Sequence, residues 1–179
     1  MREVRCVELE DVYKLYYPDV FRFLYVLCGK QDVAEELSQE TFYKAIRSIH
    51  KFRGDCSMKS WLYQIGKNTY LTWRKKQRHL AGTELTESDL EKGWYGSQDR
   101  EPENVEETVI RRNEAMRIYR ALEHLSEPYK EVFCLRVLGE LSFKEIGELY
   151  GKGEGWARVV YHRSKLKVQN ILGEERQQS

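Results

Sequence analysis

Apolar residues in this chain recur mostly at steps of three and four, which predicts helices, and the strand-hairpin dipeptides Asn-Gly and Asp-Gly are absent. Leu9 to Cys28 is apolar along one side, with Pro18 placed to break or kink it and Gly29 placed to end it. Asp32 is then expected to cap a second helix, with Glu35 closing a capping box. Leu37, Phe42, Ala45, Ile46, Ile49 and Phe52 mark the inward face of that helix. Phe52-Arg-Gly-Asp55 reads as a turn and Ser57 as the N-cap of a third helix running to about Arg78.

Periodicity then lapses. From Leu80 to Thr108 the chain holds Gly82, Gly93, Gly96, Ser97 and Pro102, the composition of a linker. Trp94 and Tyr95 are unusual there and are expected to pack back on a domain or to fill a groove. Helical spacing resumes near Val109, with Met116, Tyr119 and Leu122 on one face. Ser126-Glu-Pro128 opens another helix that carries Val132, Phe133 and Val137 inward and ends at Gly139. Ser142 starts a short helix with a capping box to Glu145, burying Ile146 and Leu149 and ending at Gly151. A last helix is expected from about Glu154 or Gly155 to Ile171. The fold class is therefore all-α: two small helical domains, residues 1–79 and 108–179, joined by a linker over 80–107.

Charge changes this picture, though the net charge of +1 does not. Residues 1–79 carry 15 basic and 10 acidic groups, residues 80–107 carry 2 and 9, and residues 108–179 carry 13 and 10. An acidic linker thus lies between two basic domains, the pattern of an internal shield. The four cysteines, Cys6, Cys28, Cys56 and Cys134, form no CxxC pair, so neither a zinc site nor a disulfide framework is indicated. No secretory segment opens the chain and no apolar run approaches a membrane span, which reads as a cytoplasmic protein with reduced thiols. No HExxH, P-loop or nucleophile elbow occurs, and His50, His79, His124 and His162 lack metal-ligand spacing, so neither catalysis nor a cofactor is expected.

The chemistry lies in two stretches without acid. From Cys56 to Thr83 there is no Asp or Glu, while Lys59, Lys67, Arg74, Lys75, Lys76 and Arg78 alternate with Trp61, Tyr63, Tyr70 and Trp73. Cations neutralise phosphates and flat rings stack on unpaired bases, so this is a candidate single-strand surface. Trp61, Leu62 and Ile65 also fit a core-facing stripe with solvated lysines opposite, and one helix can carry both faces. From Gly155 to Gly173 there is again no acid. There FKEIGELY, a glycine turn and a basic helix make a helix-turn-helix whose reading surface would be Trp156, Arg158, Val159, His162 and Arg163. The plainer reading is a helical hairpin with a solvated basic face.

Three segments in order make a family resemblance specific. DVAEELSQETF (32–42) is similar to region 2.2 of bacterial sigma factors, FRGDCSMKSWLYQIGKN (52–68) to the segments that read and open the minus-ten element, and GEGWARVVYHRSKL (153–166) to the region 4.2 recognition helix. The chain thus resembles a sigma factor of the extracytoplasmic-function (ECF) group over nearly its whole length. It departs from the family at Thr72, where Asp is usual, at Trp156 and Ala157 in place of Thr-Val, and at Val160 in place of Arg, which bears on the promoter sequence read.

The resemblance implies an alternative sigma factor that binds core RNA polymerase, directs it to promoters and helps melt them. Glu36, Leu37, Gln39, Glu40 and Phe42 would dock the clamp coiled coil of the largest subunit, with Leu37 and Phe42 expected in the core and Gln39 and Glu40 in contact. The face from Tyr129 to Leu141 would meet the flap of the second-largest subunit. Arg53, Asp55 and Ser57 would hold an extruded base, Lys59, Lys67, Asn68, Arg74, Lys75 and Arg78 the phosphates, and Trp73 a stacked base. Trp156, Arg158, Val159, His162, Arg163 and Lys167 would meet the minus-thirty-five duplex. The acidic linker would mimic nucleic acid in the RNA-exit path, and an anti-sigma factor is the further partner implied. Two rival readings are a stand-alone duplex-binding regulator and a pure interaction protein.

Overall fold

The computed structural model describes residues 2–80 and 115–177, and among them every regular element is a helix. The expected linker over 80–107, with Trp94 and Tyr95, lies almost wholly outside the described residues. The N-terminal half is α1 (Arg2–Cys28), α2 (Gln31–Ser48), a 3₁₀ turn (Ile49–Lys51) and α3 (Met58–Leu80). The C-terminal half is α4 (115–123), α5 (Tyr129–Val137), α6 (Phe143–Leu149) and α7 (Glu154–Gln177).

α1 is one helix through Pro18, so the expected break does not occur. Proline removes one backbone donor, a cost of about 3 kcal/mol in a helix interior. Apolar burial offsets it: Val20, Phe23, Leu24, Val26 and Leu27 are all buried, at about 1.5–3 kcal/mol for each large side chain. Tyr13, Tyr17, Phe21 and Tyr25 add an aromatic row at four-residue steps, with successive centroids 4.8, 6.2 and 6.2 Å apart. Gly29, at φ 73°, ends the helix as expected and returns its N–H to the Tyr25 carbonyl at 2.8 Å.

The expected Asp32 cap is not formed. α2 begins two residues earlier, with Lys30 at the N-cap and no side-chain capping bond. Lys30 instead offers its carbonyl to the Ala34 N–H, and Glu35 accepts from Gln31 Nε2 at 2.9 Å. On α2 the inward face is Ala34, Leu37, Ser38, Thr41, Phe42 and Ala45, whereas Ile46 is exposed and the helix tightens to 3₁₀ at Ile49. Val137 is likewise exposed against expectation, since α5 turns Val132, Cys134 and Leu135 inward instead. α7 continues past the expected Ile171 to Gln177.

α1, α2 and α3 pack on one another, and α5, α6 and α7 do the same. The halves also touch: α1 meets α5 and α3 meets α6.

Candidate nucleic-acid interface

α3 is placed by its N-cap. Ser57 Oγ accepts the Ser60 N–H at 3.1 Å, and the Ser57 carbonyl accepts the Trp61 N–H at 3.0 Å, as the sequence predicts. One side of the helix is apolar: Leu62 and Tyr63 are fully buried, Tyr70 is buried, and Tyr63 meets Phe23 edge-on at 5.0 Å. Tyr63 and Tyr70 therefore leave the predicted set of stacking rings. Trp61 is half-buried against Phe52 at 5.2 Å, and Trp73 is half-buried beside Tyr70 at 6.1 Å.

The polar members of the α3 set divide in two. Arg53, Asp55, Asn68 and Lys75 are exposed, with Asn68 accepting from Gln64 Nε2 at 3.4 Å. Ser57, Lys59, Lys67 and Arg74 instead hold groups of the C-terminal half. The Ser57 and Ser60 hydroxyls reach Glu145 Oε1 at 2.9 and 2.6 Å. Lys59 Nζ stands between Asp19 Oδ2 at 3.6 Å and Glu140 Oε2 at 3.5 Å. Arg74 pairs with Glu127, which also accepts from the Tyr70 hydroxyl at 3.5 Å. Lys67 is buried: its Nζ donates to the Leu149 carbonyl at 2.8 Å and sits 3.6 Å from the Tyr150 ring centroid. Burial holds the Lys67 ammonium below its usual range, against the pull of Glu131. The side chain of Arg78 lies outside the described residues.

Glu145 ties these contacts to the helix-turn-helix. Its Oε2 accepts the Ser142 N–H and hydroxyl at 2.8 and 2.7 Å, while Ser142 Oγ accepts the Glu145 N–H, completing the predicted capping box. Burial raises the Glu145 carboxyl, but hydrogen bonds from Ser60, Ser142 and Ser57 outweigh it and bring the group to about 2. The turn after α6 fits tightly, because a Cβ on Gly147 would come within 2.8 Å of the Lys152 carbonyl oxygen.

α7 anchors Ala157, Val160, Ser164 and Val168 inward and leaves Arg158, Val159, His162, Arg163 and Lys167 exposed. These are the predicted reading residues, and steps of four bring Arg158 beside His162 and Val159 beside Arg163. Trp156 differs, being half-buried against Tyr150 at 5.0 Å. Arg158 is held in place, its Nη2 2.6 Å from Glu154 Oε1 and its guanidinium 5.5 Å from the Phe143 ring centroid. Lys167 Nζ lies 5.3 Å from the Tyr129 ring centroid.

Of the α2 set, Glu36, Gln39 and Glu40 are exposed, and Leu37 and Phe42 are buried in the core, so these two can support a docking surface but not touch a partner. Tyr43, and Ile46, which periodicity assigns to the core, join the exposed side at 59% and 49% exposure. Glu127, Glu140 and Glu145 were also missed as site residues, because nothing local in sequence pairs them with α3. No group of potential metal ligands and no helix fit to cross a membrane occurs among the described residues.

Comparisons with known proteins agree with this geometry. Residues 12–80 match the family described as Sigma-70 region 2, and residues 115–168 match Sigma-70, region 4. The chain is 28% identical over 171 residues to RNA polymerase sigma factor YlaC of Bacillus subtilis, covering 95% of each. It is 27% identical to ECF RNA polymerase sigma factor SigM of the same organism, covering 91% of this chain and 94% of that one. In fold it is similar to the sigma factor RpoE of Bartonella quintana, solved with the anti-sigma factor NepR, at a TM-score of 0.72, 22% identity and coverage of 93% and 97%.

Proposed function

We propose a division of labour for this chain from the premise that it belongs to the sigma-70 family, in the ECF group, and is an alternative sigma factor directing RNA polymerase to initiate at specific promoters. In this reading residues 1–79 dock polymerase and open the minus-ten element, residues 108–179 read the minus-thirty-five element, and 80–107 connect them. α7 enters the major groove of the minus-thirty-five duplex. Arg158, aimed by Glu154 and Phe143, and Arg163 bond guanine edges or phosphates there, Val159 and His162 line the groove, and Lys167 meets the backbone. Trp156 supports the start of the helix and touches DNA only at its edge.

The exposed row of α2 meets the polymerase clamp through Glu36, Gln39 and Glu40, positioned by Leu37 and Phe42. The Tyr129 to Leu141 face, with Val137 as its exposed large apolar residue, fits the flap. Arg53, Asp55 and Ser57 hold an extruded base, Lys59, Lys67, Asn68, Arg74, Lys75 and Arg78 follow the strand, and Trp73 stacks. The chain has no catalysis of its own, acts in the cytoplasm, and takes an anti-sigma factor as a further partner.

The observation that carries this reading is the exposed α7 row on a helix-turn-helix within the region 4 match. Runoff transcription with bacterial core polymerase on a promoter-fragment library tests it. New start sites should appear only with the protein and disappear in Gln39→Ala and Arg163→Glu variants. Tight duplex binding by the protein alone, without new starts, would replace the sigma reading with a stand-alone regulator.

A further inference from the structure

We propose that Glu131 and Tyr150 are positioning residues for duplex reading: from inside the C-terminal half they hold Trp156, and so set how the first turn of α7 meets DNA. This role rests on the minus-thirty-five reading above and adds two residues to it that touch no DNA.

Glu131 is the unusual group. It is 2% exposed, on a helix that also buries Val132, Cys134 and Leu135. Its Oε2 accepts the Tyr150 hydroxyl, while its Oε1 has no hydrogen-bond partner among the described residues. An apolar side chain of similar volume would fill the same place without the cost of a half-paired buried carboxylate. Stability therefore does not account for this residue. A fixed direction does, because the bond pins the outer end of the Tyr150 ring. Burial, and then Glu131 itself, push the Tyr150 hydroxyl above its ordinary range, so it keeps its proton and stays the donor.

Tyr150 stands where direction matters. It is the C-cap of α6, and its ring meets that of Trp156, the third residue of α7, at 5.0 Å. The two rings bracket the turn of the helix-turn-helix, which is closed by the Lys152 N–H on the Gly147 carbonyl at 2.8 Å and the Trp156 N–H on the Gly153 carbonyl at 3.1 Å. With seven residues, α6 is too short to stiffen its own end. Ala157 is fully buried but brings only a methyl group, so Trp156 is the large side chain that seats the first turn of α7. A threonine at 156, usual in the family, would have no ring to set against Tyr150, so the arrangement belongs to this chain. Both partners of the Glu131–Tyr150 bond lie in the C-terminal half, and the line from α5 to α7 does not pass through Lys67, whose Nζ lies over the same ring.

The test is runoff transcription by the holoenzyme on a promoter recovered from the fragment library, beside the same fragment with its minus-thirty-five bases scrambled. The ratio of the two signals measures discrimination. It cancels the folded fraction, so a loss of stability by itself leaves it where it was. Glu131→Leu with Tyr150→Phe removes both partners of the bond and keeps the ring, so the urea midpoint should stay at or above that of the parent. The ratio should nevertheless fall about five- to tenfold, because base contacts from α7 lose their alignment. Tyr150→Phe alone should lower it in the same direction. Glu131→Gln still offers an oxygen to the Tyr150 hydroxyl and should keep the parent ratio.

An unchanged ratio in the double variant, or an equal fall in Glu131→Gln, would overturn the positioning role and leave the sigma reading intact. A parent that starts on neither fragment, or on both alike, would instead remove the reading on which this role rests.

Discussion

α3 and α7 begin alike and end differently. Both are long helices, α3 lying inside an acid-free basic stretch and α7 containing one from Gly155 to Gly173, and both carry a buried apolar stripe. Yet α7 turns its cations to solvent, while Lys59, Lys67 and Arg74 on α3 are engaged by the other half of the same chain. Two basic helices therefore need not be equally available. Availability depends on what the rest of the chain brings against each, and here the α7 row is open while part of the basic α3 face is covered.

The comparison breaks most severely at Tyr63, the apolar seat of the α3 contact. Tyr63→Ala should cost about 3–5 kcal/mol, read as a lower midpoint in a urea melt, because a fully buried ring leaves a cavity shared by both halves. Arg163→Ala tests the open side. It should leave that midpoint unchanged and reduce runoff transcription by about 5- to 150-fold, the equivalent of one lost base contact. A large loss of stability in this variant would make Arg163 structural.

Acid sharpens the comparison on the covered side. The Glu145 carboxyl sits at about 2 against an ordinary 4.5. A carboxyl with a lowered value stabilises the fold above its unfolded value, and that contribution fades as pH falls from 4.5 towards about 2. Glu145→Gln should remove this part of the acid dependence, so the difference between variant and parent in urea midpoints should shrink across that window. A constant difference from neutral pH down to 2 would mean that the ionised form is not the one held. The smallest expected effect is at exposed Lys75: Lys75→Ala should lower the slope of log affinity against log salt for single-stranded DNA by about 0.7, the share of one phosphate contact. An unchanged slope would take Lys75 out of the strand path.

Much of this was legible before the fold was known. The Ser142–Glu145 capping box, the Ser57 cap, the end of α1 at Gly29 and the exposed α7 row follow from local chemistry. Where local reading failed, a longer-range term won. Core burial carried α1 through Pro18, and the Gly29 turn let α2 start before Asp32 could cap it. Ile46 and Val137 fit the helical period but fall on sides that no neighbour covers.

The sequence by itself determined the helices, their order, the helix-turn-helix and the family, because periodicity, caps and motif residues act within a few positions along the chain. Only the tertiary structure decided which cations are free. Glu145 lies far from Ser57 in sequence, and Glu127 far from Arg74, so no local rule joins them. Folding brings those carboxylates onto α3, and the same packing leaves α7 facing water.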